Sequence, residues 1–233
     1  MSQVTQALNT AQIRALAELD SGLVSNAIEQ FNVRLRNEGF CDATIRCQTP
    51  ALPPIVGYAV TAKMRSSVPP TVGRSFRDRT DWWKQILRMP APRIVVIQDV
   101  DARPGFGSLV GELHANIFRA LGCAGCVTNG AVRNVREAEA MPFAMFASGI
   151  AVSHAFAHLV SYGEPVEVGR LVIKPGDLLH ADRDGVVHVP QEIAGEIPGM
   201  AQGLIHKRER LLAYCRSKEF SVDELQAKLE KLG

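Results

Sequence analysis

Two apolar runs of strand length flank a helical pattern in the middle of the chain, and this order limits the folds available to it. The first run covers residues 93–100 and the second covers residues 125–128. A continuous apolar run is typical of a strand that is buried on both faces of a sheet. A strand, a helix and a second strand in this order predict an α/β domain.

The segment between the two runs predicts a glycine-rich loop followed by a helix. The loop covers residues 101–108, and Gly122 stands where a helix commonly ends on a left-handed residue. Apolar residues at helical spacing predict which face of the helix is buried. These residues are Leu109, Leu113, Ile117, Ala120 and Leu121.

The chain on either side of this unit adds helices and short antiparallel strands. Good N-cap residues at Asp20 and Ser21 predict a second N-terminal helix. Turn pairs at Pro175-Gly176 and Asp184-Gly185 separate short apolar strands between residues 166 and 189. From residue 191 the pattern is helical. We therefore predict one mixed-sheet α/β domain at residues 1–192, which includes the N-terminal helices, and a C-terminal helical tail at residues 193–233.

Composition and charge argue against several classes of protein. The chain has 26 basic and 24 acidic residues, whose near balance disfavours an extended nucleic-acid surface. The densest basic run, at residues 74–79, is typical of a solvated loop or of a rim that steers anions. No apolar stretch reaches the roughly 18 residues of a membrane span, and the N-terminus lacks the layout of a signal peptide. We therefore expect no nucleic-acid partner and no membrane.

Cysteine usage favours a reducing compartment. The chain has five cysteines, an odd and low number, and we predict a cytoplasmic protein. Cys123 and Cys126 have the spacing of a redox dithiol, but they lead into an apolar run. We interpret them as buried structural cysteines, because a free cysteine behaves as a small hydrophobic residue.

The glycine-rich loop does not match the common nucleotide-binding fingerprints. Gly105 and Gly107 could be the first two glycines of a dinucleotide motif, but Val110 occupies the place of the third. The acid expected after a second strand is missing, since residues 128–130 read Thr-Asn-Gly. A phosphate-binding loop with Gly-Lys-Ser/Thr is absent as well.

The loop and the next strand could instead form a site for a small anion. Backbone N–H groups at a helix start bind anions, and Gly111 would let a ligand approach the amides of Leu113 and His114. Arg133 lies just past the turn that ends the second strand, and its planar fork suits a carboxylate. We predict that Arg133 and these amides bind a small 2-oxo acid.

Structural interpretations of the same residues stay open. Glu112 could be a first-turn acid that the helix dipole favours, and Arg133 could pair with a structural carboxylate. His154 and His158 could ligate a metal ion, or they could be packed or line a pocket.

Several motifs resemble those of the RraA-like family. They are Gly-Glu-Leu at 111–113, Gly-Cys-Ala-Gly at 122–125, Asn-Gly-Ala-Val-Arg at 129–133, Lys-Pro-Gly-Asp at 174–177 and Ala-Asp-Arg-Asp-Gly-Val-Val at 181–187. The similarity covers roughly residues 19–190. It implies the swivelling β/β/α fold of that family, which includes class II 4-hydroxy-4-methyl-2-oxoglutarate aldolases and a non-catalytic regulator of ribonuclease E. It also implies a homotrimer or a homohexamer.

The resemblance also implies roles for the residues of the predicted site. Arg133 would bind and polarise the pyruvate part of the substrate, Glu112 would take the place of the family's acid, and the amides from Gly111 to His114 would hold a carboxylate. The family's next residue ligates Mg²⁺ or Mn²⁺, and here it is Asn134. A neutral amide oxygen can ligate a hard cation but lacks the attraction of a charge. Weaker metal binding is therefore implied, or none.

Two functions follow from these observations. The first is a metal-dependent lyase that cleaves a small 4-hydroxy-2-oxo acid to pyruvate, with oxaloacetate decarboxylation as a side activity. A Schiff-base aldolase is disfavoured, because the site motifs at residues 111–114 and 129–134 contain no lysine. The second is a catalytically weak or inactive binding protein of the regulator type, which uses the same ring-shaped oligomer to contact a partner.

Overall fold

An eight-stranded mixed sheet forms the centre of the computed structural model, which describes residues 7–70 and 80–230. The strands are β1 (Arg46–Cys47), β2 (Ile55–Arg65), β3 (Arg93–Asp99), β4 (Ser108–Val110), β5 (Cys123–Thr128), β6 (Ala131–Val132), β7 (Ala144–Ala147), β8 (Gly149–Ile150), β9 (His158–Tyr162), β10 (Val166–Val168), β11 (Leu171–Ile173), β12 (Leu178–Asp182) and β13 (Gly185–Val189). The helices are α1 (Thr10–Ala17), α2 (Ser21–Glu29), α3 (Thr80–Ile86), α4 (Glu112–Ala120), α5 (Val135–Glu139), α6 (Ile197–Cys215) and α7 (Val222–Glu230). The basic run at 74–79 lies outside the described residues.

The sheet combines a parallel centre with antiparallel edges, as the sequence predicted. Its order is β1-β7-β5-β3-β2-β12-β13, and β9 also pairs with the long strand β2. Strands β2, β3, β5 and β7 run parallel, whereas β1, β9 and β12 pair antiparallel with their neighbours. Two smaller sheets accompany it, a β10-β11 hairpin and a parallel sheet in the order β4-β6-β8.

Strand β3 contributes to hydrophobic clusters on both faces of the sheet. Val95 and Ile97 belong to a cluster with Trp82 and other residues of the flanking helices. Ile94 and Val96 belong to a second cluster, which the β10-β11 hairpin helps to form. Because successive side chains of a strand point to opposite faces, a strand covered on both faces must be apolar throughout. The prediction of a doubly buried strand is confirmed.

The predicted buried face of α4 is wrong. Leu109 lies in strand β4, and Leu113 is 60% exposed. The buried residues of the helix are His114, Ala115 and Phe118. The helix begins at Glu112, because residues 108–110 pair with β6 and cannot join it. The predicted helix end is confirmed, since Gly122 follows the C-cap with a left-handed φ of 74°.

The cysteines of strand β5 are structural, as predicted. Cys123 and Cys126 are both buried, and burial raises the pKa of each thiol to about 12. Thiols with so high a pKa remain protonated at neutral pH and are poor nucleophiles. The described cysteines are all free.

The N-terminal and C-terminal helices pack together on one side of the sheet. The side chain of Asp20 caps α2 by accepting a hydrogen bond of 2.7 Å from the N–H of Leu23, as the sequence predicted. Ile197 and Ala201 at the start of α6 are buried against the same cluster as α2, whereas α7 has no buried residue. The division into residues 1–192 and 193–233 stays a prediction. Within the described ranges, no helix has the length and apolarity that a membrane span requires.

Candidate functional site

A small parallel sheet brings three distant segments together at the candidate site. Strands β4, β6 and β8 lead into the start of α4, into Arg133 and into a loop at residues 151–157. The N–H of Arg133 donates to the carbonyl of Val110 at 3.0 Å, and the N–H of Ser108 donates to the carbonyl of Ser153 at 3.1 Å. The backbone itself therefore fixes how these three segments lie relative to one another.

One cavity of about 320 Å³ lies between these segments. Its lining comprises Ser108, Leu109, Gly111, Glu112, Leu113, His114, Arg133, Asn134, His154 and Ala157. All six residues that the sequence placed in the site are among them. The roles of these residues in binding or catalysis stay predictions. Sequence reasoning missed Ser108 and Leu109, because only the pairing of β4 with its neighbours brings them to the cavity.

The Arg133 side chain lies directly over the opening of α4. A Cβ atom added at Gly111 would be only 2.8 Å from Arg133 Cγ and 3.3 Å from Cδ. Gly111 has extended backbone angles, with φ of −132°, so its lack of a side chain matters for space and not for conformation. Glycine at this position therefore lets the arginine stem cross the helix start.

The opening of α4 supplies backbone donors and a partial positive charge. Gly111 is the N-cap and offers no side-chain hydrogen bond to the first turn, whose first backbone bond runs from Ala115 N–H to the Gly111 carbonyl at 2.9 Å. A helix start without a capping side chain is a site for an anion. Glu112 is exposed beside it and contributes a carboxylate to the lining. The lining therefore combines backbone donors with one carboxylate.

Arg133 and Asn134 are joined by a hydrogen bond between neighbouring side chains. Arg133 Nε donates to Asn134 Oδ1 at 3.0 Å. Asn134 has a left-handed backbone, with φ of 53° and ψ of 44°, and it is the N-cap of α5, but its side chain makes no capping hydrogen bond. In residues 7–70 and 80–230, no other side chain or carbonyl accepts a hydrogen bond from the Arg133 guanidinium. Its two terminal nitrogens are therefore available to a ligand.

The lining does not fit a resident Mg²⁺ or Mn²⁺ ion. Hard divalent cations prefer carboxylate and carbonyl oxygens, and Glu112 supplies the one carboxylate among the described lining residues. The oxygen of Asn134 is neutral and already accepts a hydrogen bond from a guanidinium. Across the described parts of the chain, no cluster of three or more His, Cys, Asp or Glu side chains could hold a metal ion.

Two histidines line the cavity, and they differ in character. His114 is buried, and burial lowers the pKa of its imidazole to about 4, so the ring is neutral at pH 7. The sequence suggested a role only for its backbone. His154 is exposed, and its Nδ1 lies 2.7 Å from the carbonyl of Ala155, so Nδ1 must carry the proton. This leaves Nε2 of His154 as an acceptor when the ring is neutral.

The sequence left open whether His154 and His158 ligate a metal ion, are packed or line a pocket. His154 lines the cavity, which confirms that interpretation for this residue. His158 begins strand β9 and is not among the residues that line the cavity, and its Nδ1 lies 2.7 Å from the carbonyl of Phe156. The two histidines belong to no metal-binding group within the described ranges.

Asp99, which is buried, and Asn129, which is half-buried, form a polar pair at the ends of two strands. Asn129 Oδ1 accepts from the N–H of Asp99 at 2.7 Å, and Asn129 Nδ2 donates to the Asp99 carbonyl at 3.0 Å. The Asp99 carboxylate accepts from the N–H of Gly105 at 2.8 Å, which fixes the glycine-rich loop. Burial raises the pKa of Asp99 above its ordinary value. Asn129 therefore ties together the ends of β3 and β5, from which the loop and the Arg133 segment depart.

Large apolar side chains are exposed on the segments that form the cavity. They are Phe106, Leu113, Ile150, Val152 and Phe156, and Val152 reaches 97% exposure. Single exposed apolar residues are normal on a protein surface, whereas a contiguous apolar patch can mark an interaction surface.

Comparison with known proteins identifies the family of this chain. The model of the RraA-like family, described as Aldolase/RraA, matches residues 21–188. A protein from Halalkalibacterium halodurans named "Putative 4-hydroxy-4-methyl-2-oxoglutarate aldolase" is 26% identical over 130 residues, which cover 54% of this chain and 59% of that relative. The match therefore spans less than two thirds of the relative's length.

Solved structures share the fold at low sequence identity. An uncharacterised protein from Pseudomonas syringae pv. tomato strain DC3000 has a TM-score of 0.74 at 19% identity, with 97% of this chain and 98% of that chain covered. RraAS2 of Streptomyces coelicolor, described as an unusual member of the RNase ES inhibitor RraA protein family, has a TM-score of 0.67 at 20% identity and covers 91% and 99%. These likenesses establish the fold and leave the activity to the chemistry of the site.

Proposed function

Since this chain belongs to the RraA-like family, we propose that it binds a small 2-oxo acid by its carboxylate and acts as a carbon–carbon lyase that releases pyruvate. The observation that carries the proposal is the convergence of Arg133 and the opening of α4 on one cavity of about 320 Å³. Cavities of this size suit small molecules. The name of the relative from Halalkalibacterium halodurans supports the same class of reaction.

The carboxylate would lie between the Arg133 fork and the first turn of α4. Because Nε is bonded to Asn134, Nη1 and Nη2 would be the atoms that bind the ligand. A planar guanidinium binds a carboxylate through two parallel hydrogen bonds, and the helix amides add donors and a partial positive charge. A 2-oxo acid also presents its keto oxygen next to the carboxylate. The same donors can therefore reach both groups.

The chemistry follows from where negative charge develops. In a retro-aldol cleavage a base removes the proton of the 4-hydroxyl group, and the oxygen forms a carbonyl at C4 as the C3–C4 bond breaks. The C4 fragment leaves as a carbonyl product, and the electron pair of the broken bond moves to the keto oxygen as an enolate. Arg133 and the α4 amides would stabilise that enolate, and loss of one such donor commonly costs roughly 100-fold to 1000-fold in rate. A proton then adds to C3 and gives pyruvate. We assign Glu112 to orient the water or hydroxyl group that exchanges the proton.

We propose a small 4-hydroxy-2-oxo acid as the substrate and oxaloacetate decarboxylation as a side reaction. The family resemblance implies Mg²⁺ or Mn²⁺, but the side chains that line the cavity do not fit such an ion. The proposed mechanism therefore uses no metal ion. Both reactions generate the same enolate, so one set of donors serves both.

The test measures pyruvate release from 4-hydroxy-4-methyl-2-oxoglutarate and from oxaloacetate, each corrected for the reaction without protein. We expect Arg133→Ala to lower the rate roughly 100-fold or more. Arg136→Ala is the matched control, since Arg136 is an exposed arginine of the nearby helix α5. Equal rates for wild type and Arg133→Ala would refute the proposed role of Arg133.

A binding protein of the regulator type is the second candidate. The bond from Arg133 to Asn134 favours it, because the residue that could have been a charged metal ligand is a neutral amide. In that case pyruvate would bind and Arg133→Ala would abolish binding, while the wild-type protein would show no turnover of either substrate. Turnover above the background reaction would exclude this candidate.

We propose that a second copy of the chain covers the exposed apolar residues near the cavity, in a homotrimer or a homohexamer. The exposure of Ile150 and Val152 supports this, since apolar surface of this kind is costly in water. Light scattering should show that Val152→Asp lowers the oligomeric mass. Val172→Asp is the control, because Val172 is also an exposed valine, at 57%, but lies on β11. A monomeric wild-type protein would contradict the proposal.

We also propose a cytoplasmic location. The five free cysteines support it, because unpaired thiols are typical of reducing compartments. Cell fractionation of a tagged chain tests the proposal, and recovery outside the cytoplasm would refute it.

A further inference from the structure

We propose that Asn134 is a positioning residue for the Arg133 guanidinium, and that the cavity binds its carboxylate ligand without a divalent cation. The inference rests on the proposed binding of a 2-oxo acid and specifies what supplies the positive charge. That charge comes from Arg133 and from the opening of α4, both of which belong to the chain itself.

The hydrogen bond from Arg133 Nε to Asn134 Oδ1 sets the orientation of the guanidinium plane. The two atoms are 3.0 Å apart. A guanidinium has five N–H donors in one plane, so anchoring Nε determines where Nη1 and Nη2 point. The edge formed by these two nitrogens is the one that binds a carboxylate bidentately. An arginine whose Nε lacked an anchor would lose more side-chain freedom when the ligand binds.

The arginine is held from a second side by the helix start. Its Cγ and Cδ atoms lie 2.8 Å and 3.3 Å from the position that a Cβ of Gly111 would occupy, and Asn134 Oδ1 lies 3.2 Å from the same position. Both side chains therefore pack on the bare backbone of Gly111. The left-handed backbone of Asn134, with φ of 53°, suits asparagine better than most residues.

Charge distinguishes asparagine from aspartate at this position. The amide of Asn134 anchors Arg133 but leaves the full positive charge of the guanidinium available to the ligand. An aspartate would make the same hydrogen bond but neutralise that charge, and an added cation would then be needed to attract a carboxylate. We infer that the amide oxygen takes over the orienting role and makes the cation unnecessary.

Binding of pyruvate tests the inference, followed by ligand-observed NMR titration in the presence of a chelator and again with Mg²⁺. Wild type should bind equally well in both conditions. Asn134→Gly should bind about tenfold more weakly in both, because one hydrogen bond to a charged group is lost while glycine tolerates the left-handed backbone. Asn134→Asp should bind weakly with chelator and recover with Mg²⁺.

The matched control is Asn32→Gly. Asn32 is also left-handed, with φ of 51°, but it is exposed and lies beyond α2, outside the lining of the cavity. The Asn32→Gly variant should bind pyruvate like wild type. Weaker binding by Asn134→Gly would then be an effect at the cavity and not a general effect of replacing a left-handed asparagine with glycine. Thermal unfolding of each variant verifies that it folds.

Each outcome of the titration supports or overturns one statement. Wild-type binding that requires Mg²⁺ would overturn metal independence and leave the proposed substrate class standing. Equal affinity of wild type and a folded Asn134→Gly would overturn the positioning role. No pyruvate binding in either condition would refute the proposed binding of a 2-oxo acid itself, and the inference would fall with it.

Discussion

Gly111 and Arg133 are in such close contact that a methyl group on Gly111 would lie 2.8 Å from Arg133 Cγ. The backbone of Gly111 is extended and would accept any residue, so the contact alone explains why glycine is required. The sequence suggested that Gly111 lets a ligand approach the backbone. The structure shows that Gly111 also makes room for the side chain of Arg133. This contact places the guanidinium at the start of α4.

Replacing Gly111 with alanine should displace Arg133 and weaken the binding of 2-oxo acids. We expect about tenfold to 100-fold weaker pyruvate binding, because a displaced guanidinium loses its bidentate contact, worth about 1.5–3 kcal/mol. Stability should change little, since the backbone angles suit alanine. Ligand-observed NMR titration measures the affinity.

Gly149→Ala is the control for this variant. Gly149 also lies in the small sheet next to the site, but a Cβ there would meet no atom within 4 Å. The variant should bind like wild type. Unchanged affinity in Gly111→Ala would show that the contact does not determine the position of the arginine.

The stability of the protein should fall as the pH is lowered below about 6.5, and His114 should account for part of the loss. Burial lowers the pKa of folded His114 to about 4 from the ordinary 6.5. The unfolded chain therefore binds the proton more readily in this window. The contribution is fully present above pH 6.5 and declines as the pH falls towards 4, by up to about 3 kcal/mol. His114→Leu should lose less stability over this range.

Urea unfolding of wild type and His114→Leu at pH 7.5 and pH 5 measures this difference. His180 and His188 also have lowered pKa values, chiefly through burial, and they contribute equally in both proteins. The comparison between the two proteins therefore isolates His114. The same pH dependence in both would mean that His114 is not a source of acid sensitivity.

Ser21→Ala should destabilise the junction between α2 and β12. Ser21 and Asp182 are both buried; the hydroxyl of Ser21 donates to Asp182 Oδ1, and its N–H donates to Oδ2 at 2.8 Å. Losing the hydroxyl removes a hydrogen bond to a buried carboxylate, which costs about 2 kcal/mol of unfolding free energy. Chemical denaturation measures the cost. Asn26→Ala, an exposed change in the same helix, should cost less than about 1 kcal/mol.

The five cysteines should react at very different rates with a thiol reagent. Cys215 is exposed, whereas Cys123 and Cys126 are buried with pKa values raised to about 12. Reaction requires the thiolate, so Cys215 should be labelled first and the buried pair only after denaturant is added. Mass spectrometry of labelled peptides measures the order. Cys215→Ser should remove the fast phase, and rapid labelling of Cys126 in native buffer would contradict its burial.

The sequence was sufficient to predict the main sheet and the family. The strands at β3 and β5 are continuous apolar runs, and such runs identify doubly buried strands without further information. The motif around Arg133 led to the resemblance, which the family match over residues 21–188 confirms. Both the apolar runs and the motif are local in sequence, so they can be recognised from one amino-acid sequence.

The start of α4 and the second wall of the cavity could not be read from local patterns. Leu109 fits the helical period of Leu113, but it lies in β4, a strand that pairs with β6 more than 20 residues away. The loop that carries His154 reaches the cavity because Ser153 accepts a hydrogen bond from Ser108. Pairings between strands of two or three residues leave no periodic signal in the sequence.

The three-stranded sheet of β4, β6 and β8 has a consequence for how ligands are recognised. The segments that form the cavity walls all follow strands of this sheet. Their relative positions are therefore fixed before any ligand binds. A molecule that enters would meet preorganised donors and would lose affinity only through its own immobilisation, not through the ordering of protein loops. Selectivity among small acids would then depend on the shape of the ligand, because a rigid cavity wall cannot adjust to a ligand that fits poorly.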